Sequence, residues 1–208
     1  ELVARGAHVL GFDGNDELLG VARSRALANA EFERCDLREF PELGLEAEGL
    51  WCSFAAAYFP DLPAVLASWT GHLRPGGWVA LTEIDDLFAH EPLSERTRQL
   101  LEDYVGDSLA AGRYDFRMGR KLGAHLERAG LRVSRALRLA DQEFSFPGAA
   151  RPDVLAAWRS RFERMQLLRD SSGPEFERLE ADFLGCLARS DHRSLAKVYC
   201  SIAVKSVE

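Results

Sequence analysis

Asp13 closes the run His8-Val9-Leu10-Gly11-Phe12-Asp13, a nearly continuous apolar stretch ending in an acid. A carboxylate at the mouth of such a strand can accept hydrogen bonds from both hydroxyls of a nucleoside ribose. It can equally cap the helix that follows, with Gly14 and Asn15 forming the turn between them. The ribose role fits any adenosyl-type ligand, nicotinamide dinucleotides included. Farther along, Glu83, Asp85 and Asp86 crowd three carboxylates into one segment. Such a set can hold a divalent cation, but no supporting Asn or second acid cluster accompanies it. A solvated acidic rim accounts for the same residues, and no metal site is expected. His90 follows, before Pro92. A histidine in a crevice loop suits general-base work near neutral pH, although loop histidines are commonly just exposed. Tyr58 can touch a ligand, or bury its ring with its hydroxyl bonded.

These residues need strands and turns to position them. Leu50-Trp51-Cys52-Ser53 is too short for a helix and bulky enough for a buried strand. Asp61-Leu62-Pro63 then opens a helix, with Asp61 as N-cap, Pro63 in the first turn and Leu62, Val65, Leu66, Trp69 and Leu73 on one face. Arg74-Pro75-Gly76-Gly77 supplies turn chemistry and stops it, and Trp78–Thr82 restarts as a strand. Strand, helix and strand with short joints form a right-handed βαβ unit. Ligands in such sheets lie beyond the carboxyl ends of the strands. That selects two lips: Ser53–Phe59, holding Ser53, Phe54 and Tyr58, and Glu83–Pro92, holding His90. Upstream, Glu17–Ala28 reads as a helix, and Phe32–Leu37 as a strand running into Phe40-Pro41.

The run L-R-P-G-G-W-V-A-L-T-E-I, preceded by W-C-S-F-A-A-A-Y-F-P-D, resembles the later motifs of class I S-adenosylmethionine-dependent methyltransferases. V-L-G-F-D-G-N-D-E-L-L resembles their second strand, and the likeness covers residues 1–87. It implies a Rossmann-like α/β sheet, S-adenosyl-L-methionine as cofactor, and methyl transfer to an O, N or C nucleophile of a small-molecule metabolite. Asp13, with Gly14 and Asn15, would hold the ribose. Asp36 would take the adenine amine beside Leu37, although a solvated loop acid explains Asp36 as well. Ser53 and Phe54 would complete the cofactor side, and Tyr58 could position the methyl donor. The glycine-rich loop that the family uses around the methionine part is not in this chain. Glu1–Gly6 reads as the last turn of a helix, so a sequence incomplete at its N-terminus, binding the cofactor poorly as it stands, is expected. Three rivals remain: an NAD-dependent Rossmann oxidoreductase, a catalytically inactive binding or partner protein, and a nucleic-acid methyltransferase, the last disfavoured by charge and by the lack of an appended basic domain.

The second half supplies two helical excursions, at about 88–116 and 148–193, within one domain spanning 1–208. Glu95–Ala110 and Arg117–Ala129 read as helices, and Leu131–Leu139 alternates as a strand. After the linker Gly148–Pro152 come two amphipathic helices, Asp153–Arg169 and Glu175–Ala188. Ser194–Val204 alternates and is expected to pair with Leu131–Leu139. The fold class is therefore α/β: a Rossmann-like, mostly parallel sheet with an antiparallel C-terminal strand pair and helical lid insertions. Arg161 and Arg164 flank the apolar stripe Val154, Trp158, Phe162 and Met165, and Tyr114, Phe116 and Arg117 lie in the other excursion. If the excursions meet over the crevice, Tyr114, Arg117, Trp158 and Arg161 would form an aromatic pocket with a cationic rim, suited to a planar or acidic substrate.

Among 208 residues, 47% are hydrophobic and 28% charged, ordinary for a globular chain. A net charge of −7 with no basic tract argues against nucleic acid and anionic membrane as partners. Four cysteines without ligand spacing, and no export signal or membrane-length apolar run, lead to a cytoplasmic expectation. Oligomeric state is left open.

Overall fold

The computed structural model describes residues 2–39 and 46–207, so the Phe40-Pro41 reading lies outside it. A single 3-10 turn, Val3–Arg5, closes on Gly6 at φ 85°. Strand β1 (Val9–Asp13) leads through the Asn15 cap into helix α1 (Asp16–Ser24), and β2 (Ala30–Arg34) pairs with β1 in parallel. The Asn15 carboxamide oxygen accepts from the backbone N–H groups of Glu17 and Leu18, so Asn15, not Asp13, is the cap. β2 stops at Arg34; Leu37 starts a 3-10 turn, and its carbonyl accepts from the Trp69 indole at 2.8 Å.

β3 (Ala47–Ser53), α2 (Leu62–Gly71) and β4 (Leu73–Asp85) form the expected βαβ unit, with the two strands parallel. The Asp61 carboxylate caps α2 by accepting from the Ala64 N–H. Its boundaries differ from the sequence reading in an informative way. The helix ends at Gly71, and Arg74–Gly77 is a bulge inside β4 rather than the stop between helix and strand. Gly76 sits at φ 75°, where a Cβ is strained, and donates its N–H to the Lys205 carbonyl.

The chain continues through β5 (His90–Glu91), α3 (Glu95–Ala110), α4 (Leu122–Arg128) and β6 (Arg132–Leu139). α5 (Pro152–Arg164), α6 (Gln166–Ser172), α7 (Phe176–Leu187), β7 (Arg193–Ser194) and β8 (Lys197–Val204) complete it. The predicted helix 153–169 is two helices, because Met165 leaves helical geometry at ψ 63°. β8 lies between β4 and β6, antiparallel to both, giving a sheet of order β3-β4-β8-β6. β1 and β2 form a separate parallel pair. The sheet is Rossmann-like and has the antiparallel C-terminal pair that the sequence predicts, but it is mixed rather than mostly parallel, because β8 runs antiparallel to both of its neighbours. None of the described helices is long and apolar enough to cross a membrane.

Two apolar cores divide the molecule. Under the sheet, α2 and α4 bury Leu62, Leu66, Trp69, Leu122 and Leu126 against Val79 and Leu81. Each such side chain contributes about 1.5–3 kcal/mol of burial. The second core joins the helical excursions. Phe88, Leu101, Tyr104 and Phe116 from the first meet Val154, Trp158, Phe162, Phe176 and Phe183 from the second. Both excursions thus share one interior.

Candidate functional site

β3 and β4 end side by side, and their carboxyl ends carry the residues with unusual chemistry. Past Ser53, Phe54 adopts φ 57° and donates its N–H to the Thr82 carbonyl at 2.9 Å. A non-glycine residue in that region is uncommon and marks a constrained turn. The turn releases Ala56–Tyr58 as a 3-10 segment whose backbone N–H groups look back at β4. Glu83 meets them there. Its Oε1 accepts from Ala57 N–H and its Oε2 from Ile84 N–H, both at 3.2 Å, and the carboxyl is fully buried.

Burial pushes the Glu83 carboxyl up to about 7, against the pull of the Ala57, Ile84 and Ala56 N–H groups and with a further push from Asp115. Its neighbours feel it in turn. The Tyr114 hydroxyl is raised by burial and then by Glu83, as is that of Tyr58. Burial and Glu83 push the Cys52 thiol up to about 12. Tyr58 and Tyr114 stand edge to face with centroids 4.7 Å apart, Tyr58 exposed and Tyr114 part-buried. Tyr199 of β8 is directly opposite Glu83 in the sheet. A carboxyl titrating near 7 can give or take a proton at neutral pH, the property a general acid or base requires.

This replaces the solvated acidic rim. Glu83 and Asp85 belong to β4 itself, 0% and 4% exposed, because β8 flanks them and the chain at Gly119 packs closely on Ile84 and Asp85. Asp85 receives the Arg120 guanidinium at 2.8 Å, and Asp86 is held by Arg117 and Arg120. Among the described residues no group of three or more His, Cys, Asp or Glu is arranged to hold a metal ion.

Other expected site residues are placed differently. His90 is in β5, 3% exposed, inside the shared interior of the excursions and not on an open lip. Its Nδ1 lies 2.9 Å from His192 Nε2, its ring is edge-on to Trp158 and Phe183, and burial followed by His192 lowers it to about 3. A base that resists protonation so strongly, closed off by aromatic rings, does not face a crevice. Trp158 is fully buried, so it is core and not a pocket wall. Arg161 lies over the Phe144 and Trp158 rings, each 4.8 Å from the guanidinium carbon, and pairs with Glu143. Arg117 divides its guanidinium between Asp86 at 2.6 Å and Glu102 at 2.6 Å. The excursions do meet, but they meet as packed core and ion pairs.

Residues 1–77 match the family described as "Methyltransferase domain". Over 75 residues the chain is 37% identical to trans-aconitate 2-methyltransferase of Deinococcus radiodurans, a match covering 36% of this chain and 28% of that protein. Over 121 residues it is 29% identical to the ubiquinone biosynthesis O-methyltransferase of Leptothrix cholodnii, covering 55% and 49% of the two chains. These matches thus span half or less of the relatives' length. Over 98% of its length the chain superposes on 72% of the cyclopropane synthase MmaA2 of Mycobacterium tuberculosis, with TM-score 0.59 and 15% identity. The fold is that of the class I S-adenosylmethionine-dependent methyltransferases.

Within the methyltransferase fold, the residues expected at the cofactor sit at strand ends. Asp13 ends β1, with Oδ1 accepting the Asn15 N–H at 2.8 Å. Asp36 follows β2, its Oδ1 accepting from both the backbone N–H and the Nε–H of Arg38. Leu37 is anchored by Trp69 of α2 and packs on the core beneath. Ser53 ends β3 and Phe54 follows it, 43% exposed, its ring centroid 6.2 Å from that of Phe144. Glu83 is the residue sequence reasoning misplaced. The signal for it was an acid embedded in the strand run Val79-Ala80-Leu81-Thr82-Glu83-Ile84, a position where burial is the rule.

Proposed function

We propose that the protein transfers the methyl group of S-adenosyl-L-methionine to a nucleophilic atom of a small molecule, at the carboxyl ends of β1, β3 and β4. The observation that carries this reading is the buried, near-neutral Glu83 carboxyl beneath the Ala55–Tyr58 turn, set in a methyltransferase fold. The residues present fit the cofactor: an acid at the end of β1, an acid and an apolar residue after β2, and a constrained turn after β3. Asp13 would accept from the ribose hydroxyls, Asp36 from the adenine amine, and Leu37 would cover the base. The bound cofactor supplies an electrophilic methyl group on a sulfonium. The chain supplies alignment and dryness, since a displacement of this kind depends chiefly on in-line approach and exclusion of water.

Where the acceptor must lose a proton, Glu83 is the group able to hold it near pH 7. Tyr58 is the exposed hydroxyl on the same turn and the side chain that meets the acceptor. Tyr114 backs Tyr58 and limits where its ring can go. His90 takes no part. Incubating the full-length protein with methyl-labelled S-adenosylmethionine and a panel of phenols, amines and carboxylates tests the reading. Label transferred to one class, and lost in Glu83→Gln and Tyr58→Phe, supports it. Cofactor binding with no transfer to any class points to the inactive relative instead.

A further inference from the structure

Glu83 belongs to β4 and Tyr58 to the turn after β3, and a third segment ties the two together. Between α3 and α4 the chain runs Tyr114-Asp115-Phe116-Arg117 across both. Asp115 donates its N–H to the Ala57 carbonyl at 2.9 Å, and the Phe116 carbonyl accepts from the Asp86 N–H at 2.8 Å. Ala57 is therefore held from two sides, its N–H by Glu83 Oε1 at 3.2 Å and its carbonyl by Asp115. That carbonyl belongs to the planar peptide leading into Tyr58. The bond from Asp115 thus fixes the plane from which the Tyr58 side chain departs.

The Asp115 side chain is as constrained as its backbone. Its Oδ1 accepts the Arg117 N–H at 2.9 Å, closing a local turn, and its Oδ2 takes the Lys121 ammonium at 2.6 Å. The carboxylate is 12% exposed and the lysine 38%, so the negative end of the pair faces the interior and the positive end faces water. The other groups around Glu83 are neutral near pH 7. Burial raises Cys52 on β3, Tyr58 on the turn and Tyr114 on this segment, and β8 contributes the Tyr199 ring. His125 of α4, within the field of both Asp115 and Lys121, is lowered by burial, by Arg128 and by Lys121. Asp115 is thus the charge that acts on Glu83, and Lys121 the charge that tempers it.

We propose that Asp115, paired with Lys121, is a positioning residue for methyl transfer: it clamps the turn that carries Tyr58 and keeps a negative charge beside the Glu83 carboxyl. It acts through those two residues and not on the reacting atoms. Its role in turnover rests on Glu83 being the proton-handling group, but its effect on Glu83 can be read with neither cofactor nor turnover.

Asp115→Asn keeps the oxygen that accepts from Arg117 and loses the charge. Lys121→Met keeps the length of the side chain and loses the cation. A like charge beside a carboxyl raises its titration and a cation lowers it, so the two substitutions push Glu83 in opposite directions. Carbon-13 NMR titration of the Glu83 carboxyl in the full-length protein reads both. The Asp115→Asn midpoint should fall by roughly 0.3–1 pH unit, the Lys121→Met midpoint should rise by less, and the double variant should lie between them. Lys121→Arg, which keeps the charge, should leave the midpoint in place. The rising limb of the pH profile of methyl transfer should move with each midpoint. If Asp115→Asn does not fold, Lys121→Met against Lys121→Arg carries the same test. Midpoints that move in one direction only, or not at all, in folded variants overturn the proposal, since loss of a merely structural contact gives no reason for shifts of opposite sign. The expected shifts without any methyl transfer would support the clamp and count against the functional reading instead.

Discussion

Replacing Glu83 by Gln should make the protein more stable at alkaline pH while removing its proton-handling group. In the unfolded chain the carboxyl titrates near its ordinary 4.5, and in the folded chain at about 7. The folded state therefore binds the proton more tightly. The resulting stabilisation is fully present below pH 4.5 and is lost as pH rises through 7. With about 1.4 kcal/mol for each pH unit separating the two titrations, the full span is roughly 3 kcal/mol. Between pH 5.5 and 8.5 the wild type should lose about 2 kcal/mol through this one group, and Glu83→Gln should lose none of it. Urea unfolding of both proteins at the two pH values gives the difference directly, since groups unaffected by the substitution cancel. The stability of Glu83→Gln relative to wild type should thus rise by about 2 kcal/mol on going from pH 5.5 to 8.5. A difference that does not change with pH would refute the buried, near-neutral carboxyl, and with it the proton role.

His90 works in the opposite sense: its folded value of about 3 lies below the ordinary 6.5, so its contribution is present above 6.5 and lost as pH falls towards 3. Between pH 7 and 5 that loss is about 2 kcal/mol, opposed in the wild type by Glu83; over this range in urea unfolding Glu83→Gln should therefore lose about 2 kcal/mol more stability than the wild type. Trp158→Ala should cost about 3–5 kcal/mol of stability, measured by the same method, because Trp158 fills the shared interior of the excursions; a cost below about 1 kcal/mol would restore it as a pocket residue. Tyr58→Phe should leave stability within about 0.5 kcal/mol but lower turnover about tenfold or more in a labelled-methyl assay, and unchanged turnover would remove Tyr58 from the site.

Local patterns carried most of the framework. The βαβ unit from Leu50 to Thr82 was legible because the Asp61 cap, Pro63 and the apolar spacing of α2 all agree. The β6–β8 pairing was legible from alternation alone. The misplaced residues depend on contacts distant in sequence. Glu83 and Asp85 read as a loop because acids usually seek water, whereas β8, more than 100 residues later, runs beside them and extends β4 to Asp85. His90 read as a crevice-loop histidine, a general base or merely exposed, because nothing nearby announces His192, its partner 102 residues away. Arg117 and Arg161 looked like spare cations because their carboxylate partners, Asp86, Glu102 and Glu143, are neighbours only in three dimensions. Helix ends failed for a simpler reason. α2 stops at Gly71 with His72 as its cap, and α5 stops where Met165 leaves helical geometry, neither of which hydrophobic spacing encodes.

Calorimetric titration of S-adenosylhomocysteine into the full-length protein and into its Asp13→Ala variant is the most direct test of a nucleoside cofactor at the end of β1. Losing a charge-assisted acceptor for the ribose should cost about 1.5–3 kcal/mol, roughly a 10- to 150-fold weakening, with circular dichroism unchanged. Equal affinity in a folded Asp13→Ala protein, or no binding by the wild type, would contradict a methyltransferase cofactor site there.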